Sequence, residues 1–512
     1  MRPIRFSKAK PFISTTGRSQ ENGSKRKDIW NNNDMYLTMG EWANACNGRI
    51  LTGTSDLPVG GDGPGGLSID TRKISAGQWF IALIGKEGRD GHNHLADAVA
   101  KDVGGLVVSD VRKYESSVRK YNPDLPTILV PDTVESLADA ARALLDKFSP
   151  FVIAITGTVG KTSVKESVAH IASLLFPVLK NPHNWNTEIG LPLTVFELNP
   201  QHKVAVLECA SRGIGQIRQL SLIARPDIAV ITAIGPGHLS EFGSIDAVAR
   251  AKWEIIDGLR PDGIVIAPGN SPYTKQFGAG LNPVTFGMDE TCDVYPSNIE
   301  FDQFETRCEI HTPAGAASIS IPSTGSGDLM NTLCAIACCI NIKTSDGQTL
   351  SLDEIANAVG SIPQIPGRHE KIFRQSGIEV IFDAYNSNPL SLHNALESLA
   401  RRSVLSDGTP IGRRVAILGD MLELGADEEI YHIEAGKLAG SLPIDMLITV
   451  GPLASLIRES AEDSRNERIP GGHFESTHEC ASALPDLLNP CDLVLMKASR
   501  ALAFEILLEG DW

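Results

Sequence analysis

The chain has 512 residues, of which 42% are hydrophobic and 21% are charged. A chain of this length is too long for one hydrophobic core, so we expect two to four domains. Its formal net charge of −16 argues against general nucleic-acid binding, because no basic excess is available to neutralise phosphates.

The cysteines and the hydropathy of the chain indicate a cytoplasmic protein. Nine cysteines are scattered along the sequence without a CxxC pair. An odd number at such spacing argues against a disulfide framework and against a structural zinc site, so we expect reduced thiols. No uncharged apolar run approaches the roughly 18 residues needed to cross a bilayer, which predicts that the protein is not inserted in a membrane.

The first 33 residues differ in composition from the rest of the chain. Residues 1–33 contain eight Lys or Arg against two Asp or Glu, with many Ser, Asn and Gly. They lack the apolar stretch of a secretory signal. We predict a disordered basic extension here. An organelle transit peptide, which is also basic and poor in acidic residues, is the alternative.

Three α/β domains are predicted from there on, at residues 34–148, 149–364 and 365–512. In the first, the patterns indicate strands at 66–70, 78–83 and 105–108 and helices at 95–100 and 134–148. In the second, they indicate buried strands at 151–156, 204–208, 227–232 and 263–267, short alternating strands at 290–322 and a helix at 328–340. In the third, they indicate strands at 379–383, 414–419, 445–450 and 492–496, with a helix at 392–401. Continuous apolar strands that alternate with helices predict parallel sheets covered on both faces.

A phosphate-binding loop is indicated between the first strand of the second domain and the helix after it. In such a loop glycines let backbone N–H groups surround phosphate oxygens, a lysine pairs with the β- and γ-phosphates, and a hydroxyl reaches Mg²⁺. The pattern is a shortened variant, because Ile155 stands where the first glycine is usual. A helical period is carried by Val164, Val168, Ile171, Ala172 and Leu175. The candidates for binding ATP or GTP are Gly157, Thr158, Gly160, Lys161, Thr162 and Ser163.

Two polar residues follow other buried strands of the same domain. Glu208 ends the strand at 204–208, and His238 lies in the turn after 227–232. Because ligands collect at the carboxyl ends of parallel strands, these side chains are candidates for holding Mg²⁺, directly or through water. A capping or salt-bridge role for each is the alternative at this point.

Ordered blocks over residues 36–510 resemble the Mur ligase family. They lie at 68–73, 90–92, 156–166, 184–192, 223–232, 238–244, 251–255, 366–368, 383–389, 418–425 and 497–501. The blocks at 383–389 and 418–425 resemble most specifically the branch of the family that adds D-alanyl-D-alanine.

The resemblance implies an ATP-dependent amide ligase of peptidoglycan precursor synthesis. Its substrates would be UDP-N-acetylmuramoyl-tripeptide and D-alanyl-D-alanine, with ATP and Mg²⁺ as cofactors, in a cytoplasmic monomer. The domains would bind the UDP substrate, bind ATP and close over the nucleotide, in chain order. A substrate carboxylate would attack the γ-phosphoryl group, and the incoming amine would displace phosphate from the acyl phosphate.

The resemblance also assigns roles to residues by their positions in the matching blocks. Lys161, His238 and Lys252 would be catalytic. Thr162 and Glu208 would serve a first Mg²⁺, whereas His238 and Lys252 would serve a second, with Lys252 converted to a carbamate. A solvated helix lysine is the alternative for Lys252. Contacts with the nucleotide are implied for Asn331, Arg368 and Asp383, and contacts with the substrates for Ser68, Asp70, Thr71, Arg72, Asn184, Asn186, Lys497, Ser499 and Arg500.

Several positions depart from the family pattern. The usual Gly-x-His-Asn-x-x-Asn-Ala reads Gly325 to Thr332 here, without its His, and the usual Asn-x-Asp-Asp reads Ala267 to Ser271. The phosphate and metal groups are retained, so contacts with the base and substrates are the ones in question. A paralogous ligase that joins another acid or amine, and a nucleotide-binding protein without catalysis, are therefore the alternative hypotheses.

Overall fold

The computed structural model describes residues 36–60, 66–85, 88–182, 184–302, 305–323, 325–402, 405–406, 409–410, 412–510 and 512. The basic extension predicted at residues 1–33 lies outside these ranges. Within them the chain forms three α/β units, each built on a largely parallel sheet with helices on its faces. The predicted fold class is confirmed.

The first unit is a five-stranded sheet with the order β1-β5-β4-β3-β2. Its strands are β1 (Arg49–Thr52), β2 (Leu67–Ser68), β3 (Trp79–Ile81), β4 (Gly105–Val108) and β5 (Thr127–Leu129). Its helices are Met39–Ala45, Leu95–Val99, Val111–Tyr114 and Thr133–Phe148. All strand pairs are parallel except β1 with β5. The sequence patterns did not indicate β1 and β5, each of which contains only two apolar residues, whereas β3 and β4 contain three.

The second unit is a six-stranded parallel sheet with the order β11-β10-β9-β6-β8-β7. Its strands are β6 (Phe151–Thr156), β7 (Val178–Lys180), β8 (Val204–Glu208), β9 (Ile228–Ile231), β10 (Ile264–Pro268) and β11 (Val284–Phe286). Its helices are Lys161–Ala172, Gly190–Val195, Gln216–Ala224, Leu239–Phe242, Ile245–Trp253 and Pro272–Phe277. Each apolar run predicted as a buried strand is a strand of this sheet. Since β6 lies between β9 and β8, the segments that follow these three strands meet at one edge.

A small antiparallel sheet and two helices complete the second unit. The strands are β12 (Tyr295–Phe301), β13 (Thr306–Thr312) and β14 (Gly315–Ile321), as the alternating pattern predicts, and the helices are Ser326–Cys339 and Leu352–Val359. Three of the nine free cysteines lie on the first of these helices and are buried. Burial raises the pKa of the Cys334 and Cys339 thiols well above the ordinary value, which makes them unreactive apolar side chains.

The third unit is a six-stranded sheet with the order β15-β16-β22-β19-β20-β21. Its strands are β15 (Glu370–Phe373), β16 (Glu379–Phe382), β19 (Arg414–Gly419), β20 (Met446–Val450), β21 (Gly471–Phe474) and β22 (Leu493–Lys497), and β17 (Leu405–Ser406) and β18 (Thr409–Pro410) form a separate ribbon. Its helices are Pro389–Arg401, Glu428–Ser441, Ala454–Arg465 and Thr477–Leu487. Only β15 pairs antiparallel within the six. In the described ranges, no helix combines the length and apolarity that crossing a membrane requires.

One hydrophobic cluster joins the first unit to the second. It includes Ile128 of the first sheet and Val152 of the second. Trp42 lies in this cluster, fully buried. Its ring stacks on Phe196 at a centroid distance of 5.1 Å, and its indole N–H donates to Oγ of Ser136 at 2.8 Å. The two units therefore share a core, and the ring of Trp42 fills the space between their helices.

Replacing Trp42 with Ala removes this contact. We expect the free energy of unfolding of the first unit to fall by about 3–5 kcal/mol, because the deletion leaves a large buried cavity. Urea unfolding followed by far-UV circular dichroism measures the change. Tyr121, with 72% of its surface exposed, is the control, and Tyr121→Ala is expected to change the free energy by less than about 0.5 kcal/mol. Equal effects of the two variants would contradict the shared core.

Candidate functional site

The loop after β6 has the backbone of a phosphate-binding turn. Gly157 and Gly160 have φ angles of +148° and +83°, which side-chain-bearing residues rarely adopt. A Cβ on Gly160 would lie 2.3 Å from Oδ1 of Asn331. The helix Lys161–Ala172 starts directly after the loop, with its first N–H groups aimed at the turn. Gly160 is therefore required both by the turn and by the close approach of Asn331.

The amphipathic pattern of this helix is confirmed with one exception. Val164, Val168, Ile171 and Ala172 are buried. Leu175 was wrongly included, because the helix ends at Ala172 and Leu175 is 42% exposed. The helical period had continued by chance into the turn that follows.

Hydrogen bonds attach the loop to the segment that follows β9. The backbone N–H of Thr158 donates to the carbonyl of Ala233 at 2.8 Å, and the Thr158 hydroxyl donates to the carbonyl of Gly235 at 3.2 Å. The Thr232 hydroxyl donates to the carbonyl of Val159 at 2.5 Å. The turn is thus set by two adjacent strands before any ligand arrives. Thr232 was not identified from the sequence, because a strand-end Thr carries no distinguishing pattern.

Lys161 folds back over the loop. Its ammonium group donates to the carbonyls of Gly157 and Thr158, at 2.8 and 3.2 Å. Burial lowers the pKa of Lys161, the nearby carboxylate of Glu208 acts in the opposite direction, and Arg368 lowers it further. The ammonium group therefore lies over the loop among backbone acceptors that a phosphate group would replace.

Glu208 is a buried carboxylate with several donors. Only 3% of the residue is exposed. Its Oε2 accepts from the Thr162 hydroxyl at 3.0 Å, and its Oε1 accepts from Nδ2 of Asn186 at 2.9 Å. The ammonium group of Lys165 lies 3.7 Å from Oε2. The structure thus brings together the predicted residues Thr162, Asn186 and Glu208.

Lys165 and Asn181 were missed from the sequence. Lys165 has 1% of its side chain exposed, and its Nζ donates to the carbonyl of Asn181 at 2.9 Å. The side chain of Asn181 accepts from the N–H of Glu208 at 2.8 Å and donates to the carbonyl of Glu208 at 3.0 Å. The signal for Lys165 was available, since it lies between Val164 and Val168 on the apolar stripe. Nothing local distinguishes Asn181.

Lys252 and His238 are the remaining predicted metal-site residues of the second unit, and of these two only His238 is among the residues that line the cleft between the second and third units. Lys252 is 2% exposed, and its Nζ donates to Oγ of Ser211 at 3.0 Å. Burial, and then the charge of Lys161, lower the pKa of Lys252 to about 7. His238 precedes the helix Leu239–Phe242, and burial lowers its pKa, while Glu423 acts in the opposite direction. Lys252 is thus a buried amine rather than the solvated helix lysine of the alternative reading.

The donors at Glu208 suit a magnesium ion. The Thr162 hydroxyl and the Glu208 carboxylate lie within hydrogen-bond distance of each other. Both are hard oxygen ligands of the kind that Mg²⁺ prefers. The described residues contain no group of three or more His, Cys, Asp or Glu side chains arranged to hold a metal ion. Proteins commonly hold Mg²⁺ through one or two oxygens while phosphates and water supply the other ligands.

A cleft of about 2170 Å³ lies between the second and third units. Its lining includes, among others, the predicted residues Thr158, Gly160, Lys161, Thr162, Ser163, Asn184, Asn186, Glu208, His238, Asn331, Arg368, Asp383, Lys497 and Arg500. From the third unit, the Arg368 guanidinium lies 4.2 Å above the ring centre of Tyr385. Nζ of Lys497 lies 2.8 Å from Oδ2 of Asp383.

Other predicted residues are not among those that line this cleft. Ser499 is 4% exposed, and its hydroxyl accepts from the N–H of Leu422 at 2.9 Å. Asp70 and Arg72 in the first unit pair with each other, at 2.8 Å between Oδ2 and Nη2. Ser68 and Thr71 lie close to this pair in the sequence. These four predicted residues of the first unit are not among the residues that line the cleft.

The departure from the family pattern in the segment 325–332 has a structural reason. A Cβ on Gly327, where the usual pattern has His, would lie 2.8 Å from Nδ2 of Asn394. Asn394 belongs to the helix Pro389–Arg401 of the third unit. The amide therefore occupies the space that a larger side chain at position 327 would need.

Comparisons with known proteins agree with this arrangement. The Mur ligase middle domain matches residues 155–339, and the Mur ligase glutamate ligase domain matches residues 367–500. The chain is 32% identical over 441 residues to the UDP-N-acetylmuramoyl-tripeptide–D-alanyl-D-alanine ligase of Bacillus subtilis, with 86% of this chain and 91% of that protein covered.

Solved structures share the fold over nearly the whole chain. MurF from Acinetobacter baumannii superposes with a TM-score of 0.79 at 26% identity, covering 93% of this chain and 99% of the other. The MurF ligase from Thermotoga maritima in complex with ADP superposes with a TM-score of 0.73 at 25% identity, covering 86% and 96%. The likeness includes both the sheet bearing the phosphate loop and the unit opposite it.

Gly160→Ala tests the phosphate loop. The new methyl group would collide with Asn331, so we expect binding of ADP with Mg²⁺ to weaken at least about tenfold. Isothermal titration calorimetry measures the affinity. Gly215→Ala is the matched control, because Gly215 also precedes a helix at a φ of +87° but would have no neighbour within 4 Å of its Cβ. Both variants carry a backbone cost of about 1–2 kcal/mol, so equal loss of ADP binding would show that strain, and not the collision, is responsible.

Proposed function

Because the chain belongs to the Mur ligase family, we propose that it joins D-alanyl-D-alanine to UDP-N-acetylmuramoyl-tripeptide with the hydrolysis of ATP to ADP and phosphate. The relative from Bacillus subtilis bears the name of this reaction and matches over 86% of the chain. The observation that carries the proposal is the single cleft in which a phosphate loop, a buried carboxylate and cations of two units face one another. An amide ligase needs this set, because it must bring a triphosphate and a carboxylate together.

The second unit binds the nucleotide. The phosphate loop from Gly157 to Ser163 surrounds the phosphates with N–H groups at a helix N-terminus, and the ammonium group of Lys161 exchanges its carbonyl acceptors for phosphate oxygens. Thr162 and Glu208 would hold Mg²⁺ here. An ion held by these two residues would supply positive charge near the phosphoryl group that the substrate carboxylate attacks. The buried Lys165 and Asn181 keep Glu208 in place.

Lys252 and His238 are assigned to a second Mg²⁺, with Lys252 as a carbamate. Only an uncharged amine reacts with carbon dioxide, and the lowered pKa of Lys252, about 7, makes that form available near neutrality. Carbamate formation converts a buried cation beside Lys161 into an anion, which relieves the repulsion between the two lysines. This environment supports the role that the resemblance implies.

The third unit serves the second half of the reaction. Arg368 and Asp383 face the nucleotide across the cleft, while Lys497 is neutralised by Asp383. Arg500 lies at the exposed rim, next to Glu505, where its guanidinium can bind the carboxylate of the incoming dipeptide. The dipeptide amine then attacks the acyl phosphate, a tetrahedral intermediate forms, and its collapse releases phosphate. Closure of this unit excludes water, which would hydrolyse the acyl phosphate.

The remaining assignments concern the substrate-binding residues, the domain boundaries, and the localisation and oligomeric state of the protein. The UDP-sugar-peptide substrate is assigned to Ser68, Asp70, Thr71, Arg72, Asn184 and Asn186, the last of which donates to Glu208. Asn331 is assigned to the nucleotide. The domain boundaries at 148/149 and 364/365 separate these tasks. We infer a cytoplasmic monomer, a setting supported by nine free thiols and by the use of ATP.

Phosphate release measures the proposed activity directly. The protein with ATP, Mg²⁺, UDP-N-acetylmuramoyl-tripeptide and D-alanyl-D-alanine should release phosphate only when all components are present. Lys161→Ala should lower kcat about 100-fold or more, since it removes charge stabilisation of the transferred group. The exposed Lys343 provides the control, and Lys343→Ala should leave turnover unchanged. Phosphate release that does not depend on the dipeptide would refute the proposed substrate pair.

The carbamate on Lys252 can be observed without turnover. In ¹³C-bicarbonate, the wild-type protein should show a carbamate signal in ¹³C NMR that is absent from Lys252→Arg, because arginine cannot form this adduct. Since the pKa is about 7, the reactive free amine, and with it the signal, should increase as the pH rises from about 6 to about 8. A signal that persists in Lys252→Arg would assign the modification to another lysine.

A further inference from the structure

A carboxylate of the third unit contacts an imidazole at the cleft of the second. Glu423 lies in the loop after β19. This loop belongs to the block 418–425, none of whose residues has been assigned a role in binding or catalysis. Its Oε2 lies 2.5 Å from Nδ1 of His238, and its Oε1 lies 3.2 Å from Nη2 of Arg212. Both oxygens of one carboxylate are therefore engaged by the neighbouring unit.

Both partners in this contact have left-handed backbone conformations. The φ angle is +64° at Glu423 and +52° at His238, and residues held in this conformation concentrate at functional sites. The N–H of Ser240 donates to the carbonyl of Glu423 at 3.4 Å. A Cβ on Gly425 would lie 3.3 Å from the main chain of Leu239. The backbones of the turns at His238 and Glu423 are thus in contact. The left-handed conformations of these two residues bring their side chains together.

The loop that carries Glu423 is attached within its own unit. The N–H of Met421 donates to Nε2 of the buried His432 at 2.9 Å, and the N–H of Leu422 donates to Oγ of Ser499 at 2.9 Å. Ser499, a predicted substrate contact, is thus engaged in holding this loop. The position of the Glu423 carboxylate is consequently set by the third unit and moves with it.

We propose that Glu423 is a positioning residue for His238. The Glu423 carboxylate oxygen lies 2.5 Å from Nδ1 of His238, although the contact is not aligned as a hydrogen bond. A neutral imidazole that carries its one N–H on Nδ1, next to this carboxylate, leaves Nε2 as the nitrogen with a free electron pair, on a side chain that lines the cleft. A carboxylate behind a histidine sets the tautomer and the ring orientation and strengthens the other nitrogen as a ligand. The role rests on the proposed function and deepens it, because His238 is correctly oriented only when the third unit is seated on the second.

The tautomer of His238 tests this role on the free protein. The protein is labelled with ¹⁵N in its 12 histidines, and His238→Gln identifies the signal. The wild-type protein should show the Nδ1–H tautomer. Glu423→Ala should lose it, whereas Glu423→Gln, which retains an oxygen acceptor, should keep it. An unchanged tautomer in Glu423→Ala, with the fold verified by circular dichroism, would overturn the proposal.

Kinetics separate positioning from simple docking of the units. Glu423→Ala should lower kcat about 10- to 100-fold, as loss of a carboxylate behind a ligand histidine does, with KM for ATP changed less than about threefold. Glu423→Gln should recover part of this loss. Arg401→Ala is the matched control, because Arg401 of the third unit lies 4.8 Å above the ring centre of Phe301 in β12 and does not contact His238.

The control variant should keep kcat within about twofold of the wild type. An equal loss in Arg401→Ala and Glu423→Ala would reduce Glu423 to a docking contact and overturn the positioning role. Absence of ligase turnover in the wild-type protein would contradict the proposed function alone, because the tautomer is measured without substrates.

Discussion

Burial of ammonium groups around the Glu208 carboxylate is the constraint on which the site depends. Lys165 and Lys252 are almost fully buried beside the loop that carries Lys161. Burial lowers the pKa of Lys161 and Lys252, and the charge of Lys161 lowers that of Lys252 further. Lys161 and Lys165 line the cleft at the phosphate loop, and an anionic ligand bound there would stabilise their ammonium groups. The proposed binding of a triphosphate and the proposed conversion of Lys252 to a carbamate would each place negative charge next to buried ammonium groups.

The parallel sheet of the second unit makes this arrangement possible. The phosphate loop, Glu208 and the turn at Ala233 follow β6, β8 and β9, which are adjacent, so the three segments meet at one edge. The hydrogen bonds from Thr158 and Thr232 then join the loop to the turn. The third unit completes the cleft from the opposite side. Its contribution through Glu423 links the seating of that unit to the orientation of a side chain of the second.

Contacts between distant segments account for features at residues 327 and 331, of which only Gly327 departs from the family pattern. Gly327 leaves room for Asn394, which comes from a helix of the third unit. Asn331 lies against Gly160, so it contributes to the shape of the phosphate loop whatever its contact with the base. Neither contact could be inferred from local sequence, because the partners are 67 and 171 residues apart along the chain.

The sequence by itself determined the fold class, most strands of the second and third units, and the phosphate loop. Apolar runs of five or six residues such as β6 and β8 report burial on both faces, and the loop is a contiguous motif, so both signals are local. The strands β1 and β5 contain only two apolar residues each, and the sequence patterns did not indicate them. Only the tertiary structure decided that Lys165 and Asn181 hold Glu208, that Ser499 supports a loop, and that Glu423 reaches His238. The physical reason is that a polar side chain acquires its role from the partner it meets on burial, and those partners come from distant segments of the chain.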